Sequence, residues 1–314
     1  MGILDKVIAN SVPYMPKPFV QRISRRYAAG NEASDAVRVA RDLSRQGCLT
    51  TVGVLGEFAP TEQYTRERLG DYKQVVDAME DLRDPDLDYH VTVKLTDLGL
   101  TLDEDLCRKN LEEILLYTKA RGRCLEVDME ETPYVTATLD MALKMHERHG
   151  DTGAVVQAYL RRTLGDLGRL VEAGIPVRLV KGVYVEPMEL AYQDYDVVRQ
   201  NYVLLLEELL RGGVNTRIAT HDEYLVWHAL RLIHQLGLDK DRYEFQMIMG
   251  VQERLRKILV EAGHPVRVTV LFGKDSYEYS LRRLKENPKI AGYVTRDVLD
   301  DVAGFVRRRT SVGR

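Results

Sequence analysis

The chain is poor in the features that would mark an unusual class of protein. Of 314 residues only 3 are cysteine, and Cys48, Cys107 and Cys124 stand far apart. Such spacing offers neither a disulfide framework nor a metal motif, and it fits a reducing compartment. No run approaches the roughly 18 apolar residues of a membrane span. The start, Met1 to Lys6, lacks the apolar stretch of a secretion signal, so a cytoplasmic location is expected, with peripheral contact at the inner face of a membrane left open. A formal net charge of -3 gives no basic excess for nucleic acid. There is no Gly-x-Gly-x-x-Gly run and no Walker loop, which argues against a Rossmann or P-loop site. His146 and His149 lie three apart on one helix, but no third metal ligand follows, so they read as a solvated face. Linkers rich in Pro, Gly or Ser are also missing, which points to one domain.

What is present is alternation. Short β-branched runs occur at 49–57, 90–98, 123–130, 153–160, 176–184, 216–221, 243–250 and 266–273. Amphipathic helical patterns fill the gaps at 64–82, 103–121, 135–149, 165–172, 197–211, 224–236 and 252–262. Strands alternating with helices imply parallel pairing through right-handed crossovers. Eight such units predict an α/β fold of the (β/α)8 TIM-barrel type, with a doubly wound sheet as the alternative. Residues 1–47 read as a helical lead-in, 48–290 as the barrel with a helix after the last strand over its mouth, and 291–314 as a helical tail.

In a barrel, the site lies at the strand C-termini. The polar residues there are Glu57, Lys94, Asp128, Gln157, Arg178, Lys181, Thr220, His221 and Gln246. Strands buried on both faces should be nearly all apolar. This much polarity therefore predicts a polar pocket over the mouth, with a Lys94–Asp128 ion pair across consecutive strands. Arg178 and Lys181 sit three apart. If Lys181 lies just past its strand the two cations can meet, and a polyanionic cofactor would suit them. Read alone, Lys181 is also a candidate Schiff-base lysine.

A second cluster follows the last strand. Tyr279, Arg282, Arg283 and Glu286 fall on one side of a predicted helix. Adjacent guanidinium groups repel unless an anion neutralises them, and a substrate carboxylate suits that fork. The plain alternative is a charged helix surface.

Taken in order, these segments resemble flavin-dependent proline dehydrogenases of the monofunctional bacterial kind. The matching pieces are Leu55-Gly-Glu57, Lys94 through Leu100, Asp128-Met-Glu130, Gln157 through Thr163, Arg178-Leu-Val-Lys181-Gly-Val-Tyr184, Ala219 through Asp222, Tyr243 through Gln246, and Tyr279-x-x-Arg-Arg283. The resemblance implies a barrel with FAD at its mouth. Gln157, Arg178, Lys181, Gly182, Thr220, His221 and Gln246 would hold FAD. Lys94, Thr269, Tyr279, Arg282 and Arg283 would surround the substrate, with Asp128 steadying Lys94 and a Glu57–Arg282 pair gating the site. Lys94, Asp128, Arg282 and Arg283 would be the residues of catalysis. The implied reaction is hydride transfer from L-proline to FAD, giving Δ1-pyrroline-5-carboxylate, with electrons passed to a quinone and the product handed to a separate dehydrogenase. The chain is too short to include the fused dehydrogenase and DNA-binding parts of bifunctional relatives.

The sequence departs from the family pattern at four places. Gly53 stands where an Asp is usual, Thr269 for a Tyr, Leu271 for a Pro and Val183 for an Ala. The smaller, hydroxylated Thr269 raises an alternative substrate, 4-hydroxyproline or another cyclic or N-substituted amino acid. Two further alternatives are an aldolase or lyase built on Lys181 and a flavin-binding barrel without catalysis.

Overall fold

A computed structural model describes residues 27–274. Eight parallel strands close on themselves in sequence order: β1 Leu49–Val54, β2 Tyr89–Val93, β3 Leu125–Val127, β4 Thr152–Gln157, β5 Val177–Val180, β6 Thr216–Ala219, β7 Tyr243–Ile248 and β8 Val266–Phe272. The seam between β1 and β8 is fully paired, from Leu49 opposite Arg267 to Val54 opposite Phe272. Closure excludes the doubly wound alternative, which would leave open edges.

Helices surround the barrel: α1 Ala33–Ser44, α2 Glu62–Glu80, α3 Glu104–Lys119, α4 Val135–His149, α5 Thr163–Glu172, α6 Tyr195–Gly212, α7 Glu223–Leu236 and α8 Glu253–Glu261. Helix α2 shows why they form. Leu69, Tyr72, Val75, Val76 and Met79 recur at helical spacing and are buried, and the Thr61 side chain accepts from Tyr64 N–H to start the first turn. Asp103, Asp194 and Asp222 cap α3, α6 and α7 in the same way. Helices α6 and α7 stop at Gly213 and Gly237, both left-handed. Helix α1 packs over β1 and β8. The segment before it is pinned to β8 by Ala29 N–H to Leu271 C=O at 2.8 Å and Gly273 N–H to Gly30 C=O at 3.0 Å.

The apolar core lies between barrel and helices. Val52, Val91, Leu125, Val127, Val177, Ile218, Val268 and Val270 point outward into it, all essentially inaccessible to solvent. Their alternates point inward, and the barrel interior is therefore built from the other residues of each strand.

Candidate active site

Those inward residues are unusually charged. Arg267 on β8 grips Glu244 on β7 through Nε at 2.9 and 3.0 Å, and its Nη1 reaches Asp88 at 2.9 Å. Arg217 on β6 donates to Glu126 Oε1 on β3 at 2.7 Å and stands 4.0 Å from Glu244. Glu126 Oε2 is 3.5 Å from Arg178 Nη1 on β5, and Arg178 also pairs with Asp128 at the mouth. The network thus links β3, β5, β6, β7 and β8, and Glu126, Arg178, Arg217, Glu244 and Arg267 are all buried. Burial alone would raise the Glu126 carboxyl, but Arg178 and Arg217 overcome it and hold it below the usual carboxylate range. Buried ion pairs of this kind are poor stabilisers compared with apolar packing, because desolvation offsets the attraction.

Sequence reasoning passed over Glu126, Arg217, Glu244 and Arg267. Their signal was available: Glu126, Glu244 and Arg267 are charged residues between apolar neighbours inside a strand, as in Leu125-Glu126-Val127 and Val266-Arg267-Val268, and Arg217 stands between Thr216 and Ile218.

Of the polar residues expected at the strand ends, Arg178 and Gln246 lie inside β5 and β7, and the others stand at the C-terminal rim. Lys94 and Asp128 follow β2 and β3 directly, Gln157 ends β4, Lys181 and Gly182 follow β5, and Thr220 and His221 follow β6. Their pairing differs from expectation. Lys94 pairs with Glu57, and Asp128 with Arg178 rather than with Lys94. Strand β5 ends at Val180, so Arg178 points down into the charge network while Lys181 leaves the strand for another carboxylate. Lys181 Nζ is 3.3 Å from Asp222 Oδ2 and 4.9 Å from the centre of the Tyr195 ring. Each cation thus has its own carboxylate.

His221 Nε2 accepts from Ile248 N–H at 2.8 Å, which fixes the neutral tautomer with its proton on Nδ1. Burial and the charge of Lys181 push this imidazole down to about 4. The Thr220 hydroxyl accepts from Asp222 N–H at 3.1 Å. Gln157 donates to Glu130 C=O at 3.0 Å. Gln246 donates its amide hydrogens to Glu126 at 3.2 Å and Glu244 at 2.7 Å. Two carboxylates on the amide nitrogen leave no doubt about its orientation, and Gln246 Oε1 remains a buried acceptor without a donor. Gly182 has φ +107, and a Cβ there would come within 2.1 Å of the Tyr159 ring. These features fit a cofactor with an anionic portion and a ring edge carrying an N–H.

Behind the rim lies a second acidic group. Asp97 is fully buried, and neither of its oxygens has a partner in hydrogen-bonding geometry, although the Tyr64 hydroxyl and Arg68 guanidinium face it. Burial pushes its carboxyl up to about 7. Both oxygens press on Gly56, where a Cβ would lie 2.7 Å away. Gly56 precedes Glu57, whose loop also hangs from the Thr96 hydroxyl by Phe58 N–H at 3.2 Å.

Two departures from the family pattern turn out to be one. Gly53 and Leu271 face each other in register across the β1–β8 seam. A Cβ at 53 would lie 2.9 Å from Leu271 Cδ2 and 2.7 Å from Thr92 Cγ2, so Leu271 and Thr92 together fill the space a side chain at 53 would need. Thr269 shares the inward face of β8 with Arg267 and Leu271 and is partly open to the mouth. Tyr279, Arg282, Arg283 and Glu286 lie outside the described residues. His146 and His149, read as solvated, are half-buried, bonded to Thr152 C=O at 3.1 Å and Glu112 Oε1 at 2.8 Å. Among the described residues no cluster of metal-ligating side chains occurs, and no helix is long and apolar enough to cross a membrane.

A sealed parallel barrel with its polar residues gathered at the strand C-termini is the architecture of an α/β-barrel enzyme. Residues 36–296 match the family model described as proline dehydrogenase, and the chain belongs to that family. It is 33% identical to proline dehydrogenase 2 of Bacillus subtilis over 82% of this chain and 84% of that protein. It is also 33% identical to proline dehydrogenase of Deinococcus radiodurans over 88% and 90%. Among solved structures, proline utilization A from Bdellovibrio bacteriovorus, inactivated by N-propargylglycine, superposes with a TM-score of 0.78 at 22% identity over 85% of this chain. At that identity the likeness speaks for the fold, and this chain spans 33% of that longer protein.

Proposed function

We propose that this protein oxidises L-proline to Δ1-pyrroline-5-carboxylate with FAD as cofactor and a quinone as final acceptor. The observation that carries the reading is the rim itself. Lys94 and Lys181 stand at one end of the barrel with Arg178 inside β5 beneath them, and the three pair with different rim carboxylates, Glu57, Asp222 and Asp128. Gln157, Arg178, Lys181, Gly182, Thr220, His221 and Gln246 would hold the flavin, which supplies a two-electron acceptor for hydride. Lys94 would take the substrate carboxylate together with Tyr279, Arg282 and Arg283, and fixing the ring in place lowers the barrier by orientation. The cations around the ring favour the unprotonated amine, the form from which hydride can leave. Asp128 acts through Arg178, to which it is paired. No described residue is assigned as an obligatory base.

An aldolase reading is less well supported. A Schiff-base lysine must present its Nζ to a carbonyl, whereas Lys181 Nζ is held between the Asp222 carboxylate and the Tyr195 ring. The same oxidation of 4-hydroxyproline is the second reading, favoured by the hydroxyl and partial exposure of Thr269 on the inward face of β8. Hand-off of the product to a separate dehydrogenase and contact with a membrane surface belong to the same proposal.

The test is a visible spectrum followed by anaerobic addition of L-proline. A yellow protein that bleaches supports the reading, and a colourless or unbleached one overturns it. The ratio of kcat/KM for L-proline and trans-4-hydroxyproline, before and after Thr269→Tyr, decides between substrates. Lys94→Ala should lower kcat/KM about 10- to 100-fold, the worth of a charge-assisted contact, with flavin retained. Loss of flavin from Lys94→Ala would contradict the assignment.

A further inference from the structure

The charge on Arg178 is governed from below. Asp128 meets it at the mouth, where solvent can screen the pair, since the Asp128 side chain is 22% exposed. Glu126 meets it from inside the barrel with a side chain only 1% exposed. Its field is therefore nearly unscreened by water. Glu126 also divides itself, with Oε2 facing Arg178 at 3.5 Å and Oε1 bonded to Arg217 at 2.7 Å. Room for this arrangement is made by Gly153 on β4, where a Cβ would come within 2.5 Å of Arg217 Nη1. Apolar residues would fill this space at no loss of stability, so a carboxylate shared between two arginines calls for another role.

We propose that Glu126 is a positioning residue that sets how much of the Arg178 positive charge is felt by the flavin, and so the potential at which the site accepts hydride; this rests on the flavin reading above. Reduction adds negative charge to the ring system, so a nearby cation raises the potential and a carboxylate lowers it. Arg217 acts in the opposite sense by holding part of the Glu126 charge on itself. Glu126 touches neither substrate nor flavin and works through Arg178.

The measurement is the flavin midpoint potential by spectroelectrochemical titration of the flavin-loaded protein. Glu126→Gln should shift it upward, and Arg217→Met should shift it downward. The Glu126→Gln/Arg217→Met double variant should lie between the two single variants and above the wild type, because Glu126 faces Arg178 directly at 3.5 Å and acts on it more strongly than Arg217 does. It leaves no carboxylate or guanidinium of this pair buried alone, so it carries the test if a single variant fails to fold or loses flavin. An unchanged potential in Glu126→Gln or in the double variant, or shifts of one sign in both single variants, overturns the inference. A wild type that takes up no flavin overturns the functional reading instead, whereas a flavoprotein indifferent to Glu126 overturns only this proposal.

Discussion

Gly53 and Leu271 make a matched pair across the seam of the barrel, and each constrains the other. Gly53→Ala should destabilise by about 1–3 kcal/mol, the usual cost of forcing a methyl into a packed space. Leu271→Ala in the same chain should recover part of that loss, since Thr92 still crowds the position, and a double-mutant cycle in urea reads the coupling directly. Independent, additive effects would refute the pairing. The sequence shows both residues as departures but not that they touch. They are more than 200 positions apart in the chain, and periodicity carries no information about which strand closes on the first. Asp97 was equally hidden, because a polar residue in a turn reads as solvated. Its folded carboxyl titrates near 7, against an ordinary 3.8. A raised carboxyl contributes stability at pH below about 4 that is lost as pH climbs through about 7. Across that window the loss is on the order of 4 kcal/mol. Asp97→Asn should therefore flatten the fall in Tm between pH 5 and 8, and a Tm profile parallel to the wild type would contradict this.

At the scale of elements, one side chain joins several. Asp222 caps α7 through Tyr224 N–H at 3.2 Å, receives Arg199 from α6 at 2.7 and 2.8 Å, accepts from Tyr195 at 2.8 Å and holds Lys181. Burial opposes its ionisation, but Arg199 and Tyr195 outweigh that and keep its carboxyl below the usual range. Asp222→Ala removes a cap worth about 1 kcal/mol and strands two cations. Asp222→Asn keeps the cap and removes only the charge. Both should weaken FAD retention, while the alanine variant should lose more Tm; equal Tm values would show that the cap is idle. Helices were well legible from sequence: the 135–149 pattern coincides with α4. Strands were read too long at their C-terminal ends. The turns there bury Leu95, Leu98, Met129 and Ala158, and an apolar turn residue over the barrel rim cannot be told from a strand residue by pattern. The rim pocket was legible as a set of residues, whereas its ion pairing was not, because partners are chosen by side-chain reach across strands.

For the molecule as a whole, closure means that the strands share one interior, and a ligand bound over the mouth stabilises all eight together. Stripped protein should gain Tm on adding FAD, with about 2.7 kcal/mol expected at a hundredfold excess over Kd. No change in Tm would argue against a flavin site at the rim. The Glu57–Lys94 pair has a further consequence. If Lys94 receives the substrate carboxylate, as proposed, the place is already taken by one of the protein's own. Binding is then an exchange of one carboxylate for another and not a simple addition. A ligand without an acid group has nothing to trade for Glu57, so it is refused before its ring is ever inspected.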